Sequence, residues 1–286
     1  MAEMYPVFVR WLFVATACVV AGACSTPTGP SSTTTPGPVI SQGPLAGLYP
    51  QGSPPVPPRI PGPMPSALGA TRFVAFGDSI TWGNMSSFDG AFVYEAPTWS
   101  YPVRLKLALD TFHRGESSQP PRTYTVVNEG VPGEPVSGGF GGAARIQNVI
   151  TQHRPQGLLL LEGINDLANE VSVTDTVAAL RRIVDIARTN NVTVLIATMP
   201  QTYHSINPET LEERDNARQL VPGFNDAIRA MARQNVHIVD LYAAFGTTHA
   251  YIGNDGVHPN DQGYALMAST FLARIEDVFG IRSSFQ

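Results

Sequence analysis

From about residue 71 onward, short apolar runs alternate with longer stretches whose apolar residues recur every three or four positions, and this order dictates the fold class. The runs Phe73–Phe76, Tyr124–Val127, Gly157–Leu161, Val192–Ala197 and Val236–Leu241 read as strands. Tyr101–Phe112, Ala143–His153, Thr174–Thr189, Pro222–Gln234 and Gln262–Phe279 read as helices. Strands separated by helices pair in parallel, because a helical crossover returns the chain to the same end of the sheet. A parallel sheet is buried on both faces, so the helices must cover both. The expectation is an α/β fold around a five-stranded parallel sheet, with no internal repeat.

Residues 1–70 do not share this pattern. Their only charged side chains are Glu3, Arg10 and Arg59. The uncharged apolar stretch of 13 residues, 11–23, follows Arg10 and is too short to cross a bilayer as a helix. It fits a signal-peptide core, so residues 1–23 are expected to be removed on export. The chain's two cysteines, Cys18 and Cys24, both lie in or beside this leader, which leaves the folded region without a disulfide. Ala21-Gly22-Ala23-Cys24 resembles the lipobox of bacterial lipoproteins, in which the cysteine becomes the lipidated first residue. The same small residues also fit an ordinary signal-peptidase site. The first alternative anchors the protein to the bacterial cell envelope through Cys24, and the second makes it periplasmic or secreted.

Residues 24–70 hold 13 of the chain's 25 prolines, with Ser, Thr and Gly between them. Proline fixes φ and lacks an N–H, so this stretch is expected to be an extended, disordered tether with little to bury. The folded domain is expected to begin at residue 71 and run to 286. The net charge of −5 comes with no run of Lys or Arg. That excludes a nucleic-acid surface and a polybasic membrane patch, and leaves membrane contact only to a lipid on Cys24. A small or neutral partner is expected; nothing specifies the oligomeric state.

In an open parallel sheet, ligands bind outside the carboxyl ends of the strands. The first run is followed by Gly77-Asp78-Ser79, the second by Asn128, Gly130 and Gly133, the third by Gly163, Asn165 and Asp166. Beyond the fifth comes a loop with Asp255 and His258 three residues apart. Each cluster alone is ordinary capping or turn chemistry. Together they supply the parts of acyl transfer. A serine hydroxyl is a weak nucleophile that needs a base within hydrogen-bond reach and a carboxylate to orient that base. Ser79, His258 and Asp255 are those residue types. A developing oxyanion needs fixed donors, and the N–H groups of Ser79 and Gly133 with the Asn165 amide are suitable in kind.

The segments "FGDSIT", the glycine of "VPGE", "GIND" and "DGVHPN" resemble, in order, the four sequence blocks of the GDSL, or SGNH, hydrolases, and the resemblance covers residues 72 to about 280. It implies a flavodoxin-like three-layer α/β/α fold and an esterase or lipase that uses neither cofactor nor metal. It also implies an acyl-enzyme on Ser79, with Asp255 and His258 completing a catalytic triad and Ser79, Gly133 and Asn165 an oxyanion hole. Family members commonly carry Gly-Asp-Thr in the second block, where this chain has Pro132-Gly133-Glu134, and Gly130 competes with Gly133 for the donor role. The expected substrate is a small-molecule or glycan ester: a lipid, aryl or acetylated-sugar ester.

Other readings explain less. Residues 139–144 fit G-x-G-x-x-A only well past a strand, not directly after one as a dinucleotide loop requires. The α/β-hydrolase pentapeptide G-x-S-x-G and the zinc motif H-E-x-x-H are both absent from the sequence. Two rivals share the fold: an O-acyltransferase acting on a glycan, and a non-catalytic glycan-binding module. The aromatic residues Phe88, Phe92, Tyr94 and Trp99 either line an acyl or aryl pocket or pack their loop onto the domain.

Overall fold

The computed structural model describes residues 52–86, 93–114, 122–206, 213–215 and 217–281. Strands β1 (Arg72–Gly77), β2 (Thr125–Gly130), β3 (Gly157–Leu161), β4 (Thr193–Ala197) and β5 (Val236–Val239) form one sheet in the order β2-β1-β3-β4-β5. Every pairing in it is parallel. The expected fold class is therefore the observed one, with the flavodoxin-like order whose reversal falls between β1 and β3. The central strand β3 reads Gly-Leu-Leu-Leu-Leu and is buried at every position, as a strand covered on both faces must be.

The covering helices are α2 (Tyr101–His113), α3 (Gly142–His153), α5 (Val173–Thr189), α6 (Val221–Arg229) and α8 (Asp261–Phe279). Helix α2 packs on α8, while α3 and α6 both pack on α5. These pairings make the two outer layers. Between α2 and α8 the rings of Tyr101 and Phe271 stack with centroids 4.8 Å apart. Three short helices lie at the strand ends: α1 (Ser79–Trp82), α4 (Ile164–Ala168) and α7 (Leu241–Phe245). Among the described residues no helix is long and apolar enough to cross a membrane.

Several boundaries differ from the sequence reading. Strand β2 continues three residues past Val127, so Asn128, Glu129 and Gly130 belong to the strand rather than to the loop after it. Polar side chains are tolerated there because β2 is an edge strand. The Asn128 amide donates to the Trp82 carbonyl oxygen (3.1 Å), and Glu129 meets His153 (2.7 Å). Helix α6 stops at Arg229, short of Gln234, since the chain must turn at Asn235 (φ 63°) into β5. Strand β5 ends at Val239 because the Asp240 carboxylate caps α7, accepting from the Ala243 N–H at 3.1 Å.

The larger correction concerns the proline-rich stretch. Its described part, from residue 52 onward, packs on the domain instead of standing free of it. Pro54, Pro57 and Pro65 are buried. The Pro58 carbonyl oxygen accepts from the Ser269 hydroxyl (2.6 Å), and Arg59 forms a two-point ion pair with Glu276 (2.7 and 2.8 Å). Residues Ala67–Leu68 pair antiparallel with Gly280–Ile281. Proline's missing N–H costs nothing where the chain offers carbonyls to a helix surface. Residues 1–51, including Cys18 and Cys24, lie outside the described residues.

Candidate active site

The strand order brings the carboxyl ends of β1, β2 and β3 side by side, with Gly77 of β1 in register with Gly130 of β2 and Leu161 of β3. Ser79 is the first residue of α1, separated from the end of β1 only by the cap residue Asp78. A Cβ on Gly77 would sit 1.9 Å from the Leu161 carbonyl oxygen, and one on Gly130 2.2 Å from the Trp82 nitrogen. Close backbone approach under α1 excludes a side chain at both positions.

His258 and Asp255 lie in the loop before α8. Gly253 donates to the His258 carbonyl oxygen (2.7 Å), and Ile252 bridges to Pro259, so the loop closes on itself. His258 Nε2 is 2.8 Å from Ser79 Oγ, and His258 Nδ1 is 2.5 Å from Asp255 Oδ2. The three side chains form one hydrogen-bonded chain across 179 residues of sequence. Asp255 Oδ1 also accepts the N–H groups of Val257 (3.1 Å) and His258 (3.0 Å). Burial pushes the Asp255 carboxyl up, but the hydrogen bond from the His258 ring, that ring's charge and the two amides outweigh it and hold the carboxyl below its ordinary range. An ionised Asp255 fixes the proton on Nδ1, leaving Nε2 to accept from the Ser79 hydroxyl.

The second block forms a turn: Glu134 donates its N–H to the Val131 carbonyl oxygen (3.0 Å), with Pro132 second and Gly133, at φ 77°, third. That is the type II pattern, in which the third residue needs left-handed φ and glycine supplies it. The Gly133 N–H, like that of Ser79, makes no hydrogen bond among the described residues. The Gly130 N–H, by contrast, is taken by its neighbour Asn128 Oδ1 (3.0 Å). Asn165, in α4, donates one amide hydrogen to the Glu134 carbonyl oxygen (2.9 Å), which seats it against the same turn and leaves its second hydrogen unused.

Arg145, Glu134, Glu162 and Asp78 beneath this edge carry no catalytic role in the sequence reading, and Asp166 only that of a helix cap. Arg145 grips the Glu134 carboxylate through three contacts of 2.6 to 2.9 Å and donates to the Glu129 carbonyl oxygen (2.7 Å). Asp166, read as a helix cap, instead reaches across to accept the N–H groups of Val136 (2.6 Å) and Ser137 (3.0 Å). Glu162 is buried, and burial with the nearby Glu134 and Asp78 charges pushes its carboxyl well above the usual range. Asp78 caps α1 through the Ile80 N–H (2.9 Å), while its other oxygen is buried without a partner among the described residues.

Burial, opposed by the Ile80 hydrogen bond and the His258 charge, raises Asp78 to about 7. Its folded value exceeds its unfolded one, so the folded protein holds the proton longer and loses stability as pH rises from about 4 to about 7. Asp78→Asn keeps the capping oxygen and removes the charge. Between pH 5 and pH 8 the unaltered protein is expected to lose about 2–3 kcal/mol relative to this variant in thermal unfolding. A pH-independent difference between the two proteins would remove this account of Asp78.

Of the aromatic candidates, Tyr94 and Trp99 pack against the core, and the Arg104 guanidinium lies over the Trp99 ring at 5.2 Å. Phe88 and Phe92 lie outside the described residues. Among the described residues, no group of three or more His, Cys, Asp or Glu side chains is placed to hold a metal ion.

Comparison with known proteins agrees with this architecture. Residues 75–266 match the GDSL-like lipase/acylhydrolase family. An aryl esterase of M. smegmatis in its inhibitor-bound form superposes with a TM-score of 0.57 at 18% identity, covering 73% of this chain and 100% of that one. A carbohydrate acetylesterase from Sinorhizobium meliloti gives 0.57 at 16% identity, with 73% and 100% covered. An acetyl xylan esterase gives 0.50 at 19% identity, with 71% and 98% covered. No curated protein matches the chain. At these identities the structural likeness is one of fold.

Proposed function

The chain belongs to the GDSL-like lipase/acylhydrolase family, and from that premise we propose that it hydrolyses carboxylic esters through an acyl-enzyme on Ser79. The observation that carries the reading is the Ser79–His258–Asp255 chain, with Ser79 Oγ 2.8 Å from His258 Nε2. His258 Nε2 takes the Ser79 proton as Oγ attacks the ester carbonyl, and the carbonyl oxygen becomes an oxyanion. The N–H groups of Ser79 and Gly133 and the second hydrogen of the Asn165 amide stabilise it. Gly133 rather than Gly130 fills this role, because the Gly130 amide is already engaged by Asn128. His258 then protonates the departing alcohol, and water activated by the same ring releases the acid and restores Ser79. Each step uses protein donors and acceptors alone, without a metal.

Fold relatives named as aryl and carbohydrate acetyl esterases favour small aryl or acetylated-sugar esters as the first substrates to try. The test uses the full chain with p-nitrophenyl esters of graded acyl length and with acetylated xylo-oligosaccharides. A fluorophosphonate that labels Ser79 stoichiometrically and stops turnover supports the reading; turnover without labelling at Ser79 rejects it. Glycerol present during the assay separates hydrolysis from acyl transfer, since an acyltransferase would accumulate the glycerol ester.

We further propose export, with a lipid on Cys24. Because residues from 52 onward pack on the domain, only residues 24–51 would be left to span from the membrane, a reach on the order of 90 Å if fully extended. Cys24→Ser is expected to move the protein from the membrane to the soluble fraction, and unchanged membrane retention would count against the lipid.

A further inference from the structure

We propose that Asp166 is a positioning residue that fixes the oxyanion-hole turn before the reaction begins; the inference rests on the hydrolase reading above. The segment from Val131 to Ser137 links β2 to the approach of α3 and carries Gly133. Its two sides are held differently. Toward α3, the Pro135 and Val136 carbonyl oxygens accept the N–H groups of Gly142 (3.0 Å) and Ala143 (3.1 Å). Toward α4, the Val136 and Ser137 N–H groups donate to the two separate oxygens of Asp166.

Asp166 is fully buried, so its carboxylate has little use except to receive those amides. Its chain neighbour Asn165 grips the same segment at the Glu134 carbonyl oxygen. Residues 165 and 166 thus hold the loop on both sides of Pro135, which has no N–H of its own to be held by. Charged acceptors make short, strong hydrogen bonds to backbone amides, and the 2.6 Å contact to Val136 is of that kind. Oxyanion donors act through preorganisation, and a displacement near 1 Å can cost on the order of 10²-fold in rate. A clamp two residues from Glu134 and three from Gly133 therefore has leverage on the reaction without touching substrate.

A merely structural carboxylate would affect stability and leave turnover of the folded protein unchanged. Asp166→Asn keeps the volume but offers one acceptor oxygen to two amides, and sets an NH₂ group against the other. Asp166→Glu keeps the charge and shifts it by one methylene. In the full-length enzyme, both are expected to lower kcat, the Asn variant by about 10- to 100-fold, with KM changed less than about threefold. Asn165→Ala alone is expected to lower kcat by ~10²–10³-fold, and by no more than about tenfold when added to Asp166→Asn, since the turn it serves is already displaced.

Folded Asp166 variants whose kcat stays within about threefold of the parent, or an Asn165→Ala penalty that is undiminished in the double variant, overturn the proposal. Failure of both Asp166 variants to fold also overturns it, because Asp166 is then a folding residue. A parent enzyme with no Ser79-dependent turnover instead removes the hydrolase reading itself. These results are distinguishable, since the first three leave the parent active.

Discussion

Replacing Ser79 by alanine is expected to lower kcat for a p-nitrophenyl ester by on the order of 10⁴–10⁶-fold while leaving the melting temperature nearly unchanged. The hydroxyl's hydrogen bond is to His258, and α1 is capped by Asp78, not by Ser79, so its loss removes the nucleophile without loosening the strand end. What survives should be the activity of the hole and the binding surface alone. His258→Ala is expected to fall as far, and the double variant little further, because nucleophile and base act as one unit. Steady-state turnover of the three purified variants checks this, and an active Ser79→Ala enzyme would falsify the assignment of the whole site.

The second large effect is at Asp255, where asparagine is expected to reduce kcat by about 10⁴-fold at neutral pH. Asp255 uses both oxygens: one receives two backbone amides, the other the His258 Nδ1 proton. An asparagine oriented to keep its oxygen on the amides turns its NH₂ toward Nδ1. The ring is then stable only with its proton on Nε2, the nitrogen that must accept from Ser79. Alanine removes the orienting group altogether and is expected to cost less than loss of Ser79 or His258.

The sign of the Asp255 shift adds a pH signature. Its folded value lies below the unfolded one, so its contribution to stability is complete above the unfolded value and is lost as pH falls through the folded value. The parent should therefore lose stability in acid more steeply than Asp255→Asn. An acid limb in activity above pH 5 belongs to another group.

Much of this fold was legible because its signals are local. A run such as Gly157–Leu161, apolar at four consecutive positions and ended by a polar cluster, can hardly be anything but an inner strand, and its bounds were read correctly. The edge strand β2 was misread at Asn128 and Glu129, since one side of an edge strand is open to polar partners that sequence does not show. The proline segment was misread for a related reason. Composition reports that Pro54, Pro57 and Pro58 bring few donors, but not that Ser269 and Glu276 wait on α8 more than two hundred residues away. Asp166 in "GIND" has the local spacing of a helix cap, and nothing local betrays that its partners lie about thirty residues upstream.

By itself the sequence determined the residue types available for chemistry and the order of elements that carries them, because strand and helix periods and turn residues act over a few positions. It also determined that Asp255 and His258 are near neighbours, three residues apart. Only the tertiary structure decided that Ser79 meets His258, that the Gly133 amide makes no hydrogen bond among the described residues while that of Gly130 is engaged, and that Asp166 receives the Val136 and Ser137 amides just beyond Gly133. The Asp166 contact depends on the order β2-β1-β3, which sets three distant strand ends side by side, and the Ser79–His258 contact on α8 packing against α2, which brings the loop before α8 to the end of β1. Hydrogen bonds with a reach of about 3 Å are made or missed by that placement.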